Sequence, residues 1–228
     1  YHYLPIVDED GFKQHRYWSW GLRYLGRMRV VFDLLKDLAF SSLLDIGCGE
    51  GRFLNEVQKV YGKKDLMGID ISERAIALAK HVNPEVAFEH RDILAAPLNP
   101  GWDIATLLEV IEHIPPESLP EFISGAAEAL RPGGYMIITA PHLNETLSGK
   151  HYQHFDEVGL RDLLAHGFDE CRCILFDHIT PLMKMFLKLM GGSGMFYIVT
   201  YQGLNNLLYK YYLKKALSLK KLQVWMMQ

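Results

Sequence analysis

Cysteine is scarce in this sequence, and its spacing excludes the usual cysteine-based sites. The 228 residues include three cysteines, Cys48, Cys171 and Cys173. An odd and small number of cysteines does not form the framework of a disulfide-stapled domain, and no pair has the Cys-x-x-Cys spacing of a zinc site. We therefore expect a reduced protein in the cytoplasm, whose chemistry depends neither on a disulfide nor on a cysteine-bound metal.

Long uninterrupted hydrophobic runs are also missing. The longest stretch without a charged residue, 189–209, is interrupted by Gly191, Gly192, Gly194 and Asn205, whereas a membrane-spanning helix needs about 20 predominantly apolar residues. Hydrophobic residues nevertheless make up 49% of the chain and charged residues 22%, which is ordinary for a globular protein and excludes a disordered one. The sequence predicts a folded chain that at most attaches to a membrane surface.

Acidic residues are almost absent from the C-terminal part of the chain. Residues 1–173 carry 17 Lys and Arg against 26 Asp and Glu, a net charge of −9, while residues 174–228 carry seven lysines and only Asp177, a net charge of +6. Binding to nucleic acid requires a basic face for the phosphates, so the acidic body argues against a nucleic-acid partner. The basic, apolar end at 178–228 predicts contact with a substrate or with a membrane surface.

Apolar runs and helical patterns alternate along the middle of the chain, which predicts βαβ units around a parallel sheet. The predicted strands are residues 42–46, 66–69, 86–89, 102–108, 135–140 and 169–176. The predicted helices between them are residues 52–61, 74–81, 119–130 and 155–165. The third of these helices is predicted to end in a turn at Arg131-Pro132-Gly133-Gly134. Further helices are predicted at 16–40, 180–190 and 203–217, followed by a closing strand at 222–227.

A glycine-rich loop follows the first predicted strand, with Gly47, Gly49 and Gly51 at alternate positions and Asp45 two residues earlier. Glycine lets the backbone approach a bound ligand where a side chain would collide. A dinucleotide loop has the longer spacing Gly-x-Gly-x-x-Gly and gains nothing from a carboxylate beside its diphosphate. The glycines alone fit either class of ligand, whereas Asp45 favours a ligand that carries a positive charge.

Two further acids stand at the ends of the next two strands. Asp70 ends the second predicted strand, where a carboxylate can accept hydrogen bonds from both hydroxyls of a ribose. Asp92 follows the third, where it can accept from the amino group of a purine. Each acid alone is better explained as a helix cap or a loop charge, but acids at successive strand ends together favour a ligand that contains a nucleoside.

Four motifs follow one another in the order LLDIGCGEG at 43–51, GID at 68–70, RD at 91–92 and LRPGG at 130–134. In this order they resemble the class I S-adenosylmethionine-dependent methyltransferases. The resemblance implies an α/β fold, a three-layer Rossmann-like arrangement around a seven-stranded sheet whose last strand is antiparallel. It also implies three regions: an N-terminal helical extension at 1–40, the cofactor-binding core at 41–177, and a helical insertion with the closing strand at 178–228.

The resemblance further implies S-adenosylmethionine as the cofactor and S-adenosylhomocysteine as the product. The glycine loop would lie against the methionine moiety, Asp70 would bind the ribose, and Asp92 would frame the adenine. The implied cofactor-binding residues are Asp45, Gly47, Cys48, Gly49, Gly51, Asp70, Ile71, Asp92 and Ile93. Ubiquinone-pathway O-methyltransferases carry an arginine for the cofactor carboxylate at about the offset of Arg27, although a solvated helix arginine explains Arg27 equally well.

Glu109, Glu112 and His113 follow the fourth predicted strand, at the edge of the sheet where an acceptor would meet the methyl group. If a helical turn begins at Glu109, the three side chains share one face. Two carboxylates and an imidazole can hold Mg²⁺, Mn²⁺ or Zn²⁺, with His154 from the next loop as a fourth ligand. The cluster resembles two variants of the family, the ubiquinone-pathway O-methyltransferases and the small-RNA 2′-O-methyltransferases, and the latter use such residues to bind a metal. Without a metal, His113 or His154 would act as the general base beside Glu109.

The favoured hypothesis is an O-methyltransferase, because an oxygen acceptor needs a base or a metal to expose its lone pair. The acceptor would be a small molecule or a glycan or lipid precursor. A second hypothesis is an RNA 2′-O-methyltransferase with a Glu-x-x-Glu-His metal site, against which the acidic body argues. A third is a non-catalytic cofactor-binding module at the membrane periphery, which the intact Asp45 and Asp70 disfavour.

Overall fold

The computed structural model describes the chain in four stretches of backbone, with side chains for residues 27–174. The described stretches are residues 6–8, 11–13, 18–174 and 225–227. The helices predicted at 180–190 and 203–217 lie outside them. Within the described part, the helices are all too short or too polar to cross a membrane.

The chain divides into two compact units. One consists of residues 1–35 and 174–223, and the other of residues 36–173 and 224–228. All of the predicted site residues except Arg27 belong to the second unit. The two units are defined by contacts within the chain. The domain boundaries predicted after residues 40 and 177 stay predictions.

The first unit has a hairpin and a helix in its described part. The strands β1 (Ile6–Asp8) and β2 (Gly11–Lys13) pair antiparallel, and α1 spans Trp18–Leu35. The helix α1 lies within the helical stretch predicted at 16–40, whereas the hairpin was not predicted. Two residues separate the strands, which is a common hairpin spacing, but each strand has only three residues, too few for an alternating pattern to be recognised.

The second unit is built on five parallel strands in the order β5-β4-β3-β6-β7. The strands are β3 (Ser42–Ile46), β4 (Asp65–Asp70), β5 (Ala87–His90), β6 (Trp102–Leu108) and β7 (Leu130–Thr139). In the register of the sheet, Leu44 lies between Met67 of β4 and Ala105 of β6. This arrangement confirms the predicted α/β, Rossmann-like fold class.

Four helices accompany the parallel strands. They are α2 (Arg52–Tyr61), α3 (Glu73–Val82), α4 (Leu119–Glu128) and α5 (Glu157–Leu164). The helices α4 and α5 contribute Phe122, Ile123 and Leu160 to one buried cluster with Ile46 and Leu107 of the sheet. Burial of this apolar surface stabilises the unit by roughly 25 cal/mol per Å², and it leaves the carboxyl ends of the strands for polar residues.

The segment Arg131-Pro132-Gly133-Gly134 is part of β7, which corrects its prediction as a helix-ending turn. Trp102 pairs with Leu130 and Ile104 pairs with Tyr135, so the register shifts between these pairs. Such an irregularity accommodates extra residues in one strand without ending it. The sequence pattern suggested a turn because proline and two glycines are also the usual turn residues.

Two short strands extend the sheet beyond β7. The backbone of β9 (Trp225–Met227) pairs antiparallel with β7 on one side and with β8 (Cys171–Cys173) on the other. Each has three residues, and β8 falls within the longer strand predicted at 169–176. These strands lie on the opposite side of β7 from the glycine loop of β3.

Candidate functional site

The order in which the chain adds strands to the sheet reverses at β3. From β3 the chain continues to β4 and β5 on one side, and it then returns to β6 and β7 on the other side. Ligands of open α/β sheets bind at the carboxyl ends of strands where the strand order reverses. Asp45, Asp70 and Glu109 stand at or just after the carboxyl ends of β3, β4 and β6, so this edge is the candidate site.

The glycine loop after β3 lies close to two neighbouring segments. Gly47 has a φ of 77°, and a Cβ atom there would lie 2.5 Å from Cγ2 of Val110. Gly51 has a φ of 75°, and a Cβ atom there would lie 2.5 Å from Cζ of Phe88. Both positions therefore require glycine for backbone conformation and for space. The amide groups of Gly47 and Cys48 donate to the carbonyl of Ile69 at 2.8 and 2.9 Å, which joins the loop to β4.

The carboxylate of Asp70 is held by the backbone on both of its oxygens. Oδ2 accepts from the amide of Gly49 at 2.9 Å, and Oδ1 accepts from the amide of Ser72 at 2.8 Å. Ser72 in turn caps α3, because its hydroxyl oxygen accepts from the amide of Ala75. A carboxylate oxygen has two lone pairs, so Asp70 is oriented by the protein and keeps acceptor capacity for a ligand. The neighbouring Ile71 is 69% exposed.

Asp45 is a buried acid beneath the glycine loop, with 3% of its surface exposed. Burial raises its pKa from the ordinary value of 3.8 to about 7; the hydrogen bond from Thr106 lowers it, and the charge of Asp70 raises it further. Near neutral pH this carboxyl group therefore exchanges readily between its neutral and ionised forms. A cation bound nearby would favour the ionised form.

The other predicted cofactor residues occupy more varied positions. Burial, followed by the charges of Asp45 and Asp70, raises the pKa of the Cys48 thiol, which keeps it protonated. Asp92 accepts from the amide of Leu94 at 3.0 Å in the turn after β5, while Ile93 is buried in the hydrophobic core. Arg27 lies on α1, which belongs to the first unit.

Glu109 has a left-handed backbone conformation, with a φ of 58°. Such a conformation is uncommon outside glycine and asparagine and is often found at functional sites. Its amide donates to the carbonyl and to the hydroxyl oxygen of Thr139, at 3.0 and 3.1 Å. The helical segment after β6 is a 3₁₀ turn that spans Ile111–His113. Glu109 precedes this turn, so it does not share a helical face with Glu112 and His113.

Three histidines and Glu112 form a cluster beyond the ends of β6 and β7. The rings of His113 and His151 meet edge to face, with 4.8 Å between their centroids. Nδ1 of His151 and Nε2 of His154 are 2.8 Å apart and share a hydrogen bond. Glu112 is 1% exposed, and its Oε1 lies 4.0 Å from Nε2 of His113. The amide of Tyr152 donates to the carbonyl of Glu112 at 2.9 Å, which ties the two loops together.

Backbone carbonyls determine which nitrogens of this cluster carry hydrogen. Nδ1 of His113 lies 2.9 Å from the carbonyl of Lys150, and Nδ1 of His154 lies 3.2 Å from the carbonyl of Glu145. A carbonyl only accepts, so both Nδ1 atoms are protonated donors. Nε2 of neutral His154 must then accept from Nδ1 of His151. In the neutral rings, His113 and His151 consequently each keep a lone pair on Nε2.

The residues that come together differ from the predicted metal set. Glu112, His113 and His151 each place one potential ligand atom within 4.8 Å of the other two. Glu109 and His154 lie outside this group, and His151 was not among the predicted ligands. Burial, followed by the charges of His113 and His154, lowers the pKa of His151, and Glu109 raises it. Two histidines lie three residues apart in one loop, and no sequence signal distinguishes their roles.

A family model described as a methyltransferase domain matches residues 17–178 of the chain. A ubiquinone biosynthesis O-methyltransferase from Cupriavidus pinatubonensis is 34% identical over 151 residues, which cover 60% of this chain and 59% of that protein. A probable S-adenosylmethionine-dependent methyltransferase from Mycolicibacterium smegmatis is 28% identical over 144 residues, which cover 61% of this chain and 52% of that protein. The matched part thus spans about half to three fifths of the length of these relatives.

A solved structure shares the fold over most of the chain. The crystal structure of an S-adenosylmethionine-dependent methyltransferase from Archaeoglobus fulgidus superposes with a TM-score of 0.60. The superposition covers 90% of this chain and 92% of the Archaeoglobus fulgidus chain, at 20% sequence identity. At that identity the likeness concerns the fold alone.

Proposed function

The chain belongs to the class I S-adenosylmethionine-dependent methyltransferases, and from this premise we propose that it methylates a hydroxyl oxygen of a small-molecule acceptor. The observation that carries the proposal is the contact between Gly47 and Val110. This contact joins the glycine loop to the segment that bears Glu109, Glu112 and His113. A methyl donor on the loop and an acceptor beside the cluster would then be neighbours, and proximity supplies much of the rate of such a transfer.

The glycine loop and its acids fit the proposed cofactor. Gly47 and Gly51 let the loop pack directly against Val110 and Phe88, where any side chain would collide. Asp45 favours a nearby positive charge such as a sulfonium or an ammonium group. Asp70 and Ile71 would bind the ribose and Asp92 and Ile93 the adenine, while Cys48 and Gly49 would line the methionine moiety. Arg27 is proposed for the cofactor carboxylate on the strength of the family resemblance alone.

S-Adenosylmethionine supplies a methyl group that leaves its sulfur by in-line displacement, with S-adenosylhomocysteine as the product. The chain's own task is to take the proton of the acceptor hydroxyl. We assign that task to the Nε2 lone pair of His113 or of His151, since Nε2 of His154 is already hydrogen-bonded to His151. His154 would hold His151 in place, and Glu109 would stabilise its protonated form. A positioned imidazole base contributes about 10²- to 10⁴-fold in rate.

A second candidate is metal-assisted methyl transfer, which the grouping of Glu112, His113 and His151 favours. One carboxylate and two imidazoles suit several divalent transition metals. The Nδ1 hydrogens of His113 and His151 point to other hydrogen-bond acceptors, as is usual for metal-binding histidines. Such an ion would supply a positive charge that favours the ionised acceptor oxygen. An RNA acceptor remains disfavoured by the charge of −9 on residues 1–173.

The nature of the acceptor is proposed from the relatives and from charge. Several relatives carry the name ubiquinone biosynthesis O-methyltransferase, which supports a small molecule, and the prediction of a glycan or lipid precursor is kept as the alternative. The segment 178–228 is proposed to select the acceptor or to contact a membrane. The cytoplasmic location, and the identity of β9 as the antiparallel last strand of a seven-stranded sheet, likewise stay predictions.

Histidine variants test the proposal. We expect at least one of His113→Ala and His151→Ala to transfer labelled methyl groups to a panel of phenols and catechols at least about 100-fold more slowly. His154→Ala, which removes the partner of His151, should slow the transfer by a smaller factor, and all three variants should bind S-adenosylhomocysteine as the unchanged protein does. His81→Ala is the control, because this exposed histidine lies in the last turn of α3, outside the cluster. Undiminished turnover in both His113→Ala and His151→Ala would contradict the assignment.

A further inference from the structure

Asn83 is a buried polar residue that the proposed chemistry does not use. It follows α3 directly and is 5% exposed. Its Nδ2 donates to the carbonyl oxygens of Glu50 and Ala79, both at 3.3 Å, and its Oδ1 accepts a short hydrogen bond from Nδ2 of Asn55. One carboxamide therefore connects the glycine loop with α2 and α3.

Asn83 also sets the space beneath the glycine loop. A Cβ atom at Gly51 would lie 2.9 Å from Nδ2 of Asn83 and 2.5 Å from Cζ of Phe88. The same aromatic ring would lie 2.6 Å from a Cβ atom at Gly68. The loop thus packs against Asn83 and Phe88 at Gly51.

A loop with three glycines needs such support if it is to hold one shape. Glycine adopts positive and negative φ about equally readily, so the conformation of 47–51 is not determined by its own residues. The carbonyl of Glu50 lies between two glycines with positive φ, Gly49 and Gly51. Its hydrogen bond from Asn83 fixes the direction of that peptide group, and a loop that is ordered in advance loses less entropy when a ligand binds.

We infer that Asn83 is a positioning residue for the cofactor loop, acting through the Glu50 carbonyl and Gly51 to maintain the conformation that receives the cofactor's methionine moiety. This inference rests on the proposed binding of S-adenosylmethionine. It assigns Asn83 no contact with the cofactor and no part in the reaction. Substitution should therefore change the affinity for cofactor and leave the acceptor and the chemical step largely unchanged.

Asn83→Asp is the sharpest variant. It keeps the shape and the acceptor for Asn55, but it replaces the donor to two carbonyl oxygens by an oxygen atom. Loss of a hydrogen bond of ordinary strength corresponds to about a tenfold change in a binding constant. We expect the Kd for S-adenosylhomocysteine, measured by calorimetry, and the KM for S-adenosylmethionine to rise about tenfold or more. The KM for the acceptor and kcat at saturating cofactor should change less than about threefold.

A control variant at the other end of the sheet distinguishes a positioning role of Asn83 from a general loss of stability. Asp103 accepts from the amides of Ser41 and Ser42 and pairs with Arg131, so Asp103→Asn should lower Tm without touching the loop. We expect Asp103→Asn to keep the affinity for S-adenosylhomocysteine. Asn55→Ala, which removes one partner of Asn83, should weaken binding by a smaller factor and serves if Asn83→Asp does not fold.

The outcomes distinguish the two proposals. If the unchanged protein does not bind S-adenosylhomocysteine, the proposed function is wrong. If it binds, and Asn83→Asp and Asn55→Ala bind equally well, the inference about Asn83 is overturned while the proposed function stands. A rise in cofactor Kd that Asp103→Asn reproduces at a matched loss of Tm would also overturn it. A rise confined to the Asn83 and Asn55 variants supports it.

Discussion

Thr106 donates its hydroxyl hydrogen to Oδ1 of Asp45 at 2.6 Å, inside the sheet beneath the glycine loop. This hydrogen bond favours the ionised carboxylate, yet burial outweighs it and the pKa of Asp45 rises to about 7. Asp45 is therefore an acid whose ionisation would depend on the charge of the ligand bound at the glycine loop. A cationic ligand would favour the ionised form, so ligand binding and proton release should be linked.

Asp45→Asn should change the pH dependence of stability. The folded chain binds the proton of Asp45 more tightly than the unfolded chain, whose pKa is near 3.8, so the free energy of unfolding falls as pH rises from about 4 to about 7. Asparagine keeps an acceptor for Thr106 and removes the titration. We expect Asp45→Asn to be more stable than the unchanged protein at pH 8, by up to about 4 kcal/mol, and the difference to vanish near pH 4. Urea denaturation at both pH values measures this, and an equal difference at pH 4 and pH 8 would contradict it.

Much of the fold could be predicted from the sequence because its elements have strong local signals. The helix α2 and the strand β6 have the predicted bounds, since a periodic apolar pattern lies between clear breakers. The segment 130–134 was misassigned because its proline and glycines serve a strand irregularity there. The hairpin of β1 and β2 was missed because each strand is too short to show alternation.

The candidate site was less predictable, because its geometry depends on contacts between distant segments. The acids Asp45 and Asp70 follow from their positions at strand ends. The left-handed conformation of Glu109 does not, since it is set by hydrogen bonds to Thr139, thirty residues away. The choice of His151 over His154 depends on the carbonyls of Lys150 and Glu145, whose directions are a property of the folded loop.

Gly47→Ala should impair both stability and cofactor binding. The new methyl group would lie 2.5 Å from Cγ2 of Val110, at a φ of 77° that alanine rarely adopts. We expect a loss of about 1–3 kcal/mol in the free energy of unfolding and at least tenfold weaker binding of S-adenosylhomocysteine. Adding Val110→Ala provides the missing space and should restore part of the loss, because only the backbone strain then remains. No recovery in the double variant would show that the contact with Val110 is unimportant.

Asp70→Ala should weaken cofactor binding by removing the oriented carboxylate and its bonds to the amides of Gly49 and Ser72. We expect the Kd for S-adenosylhomocysteine, measured by calorimetry, to rise about 10- to 100-fold, since hydrogen bonds to a charged group contribute about 1.5–3 kcal/mol. Asp65→Ala, an exposed aspartate at the opposite end of β4, is the matched control. Equal affinities in the two variants would contradict a role for Asp70 at the ribose.

Metal binding separates the two candidate modes of catalysis. If Glu112, His113 and His151 hold a divalent ion, Mn²⁺ or Zn²⁺ should bind the purified chain with a stoichiometry of about one. His151→Ala should abolish this binding. His154→Ala, which removes the hydrogen-bond partner of a ligand, should weaken it about 10- to 100-fold, and His81→Ala should not affect it. Full turnover after chelation would instead leave the imidazole base as the mechanism, whereas turnover that chelation abolishes and Mn²⁺ restores would establish the metal-assisted one.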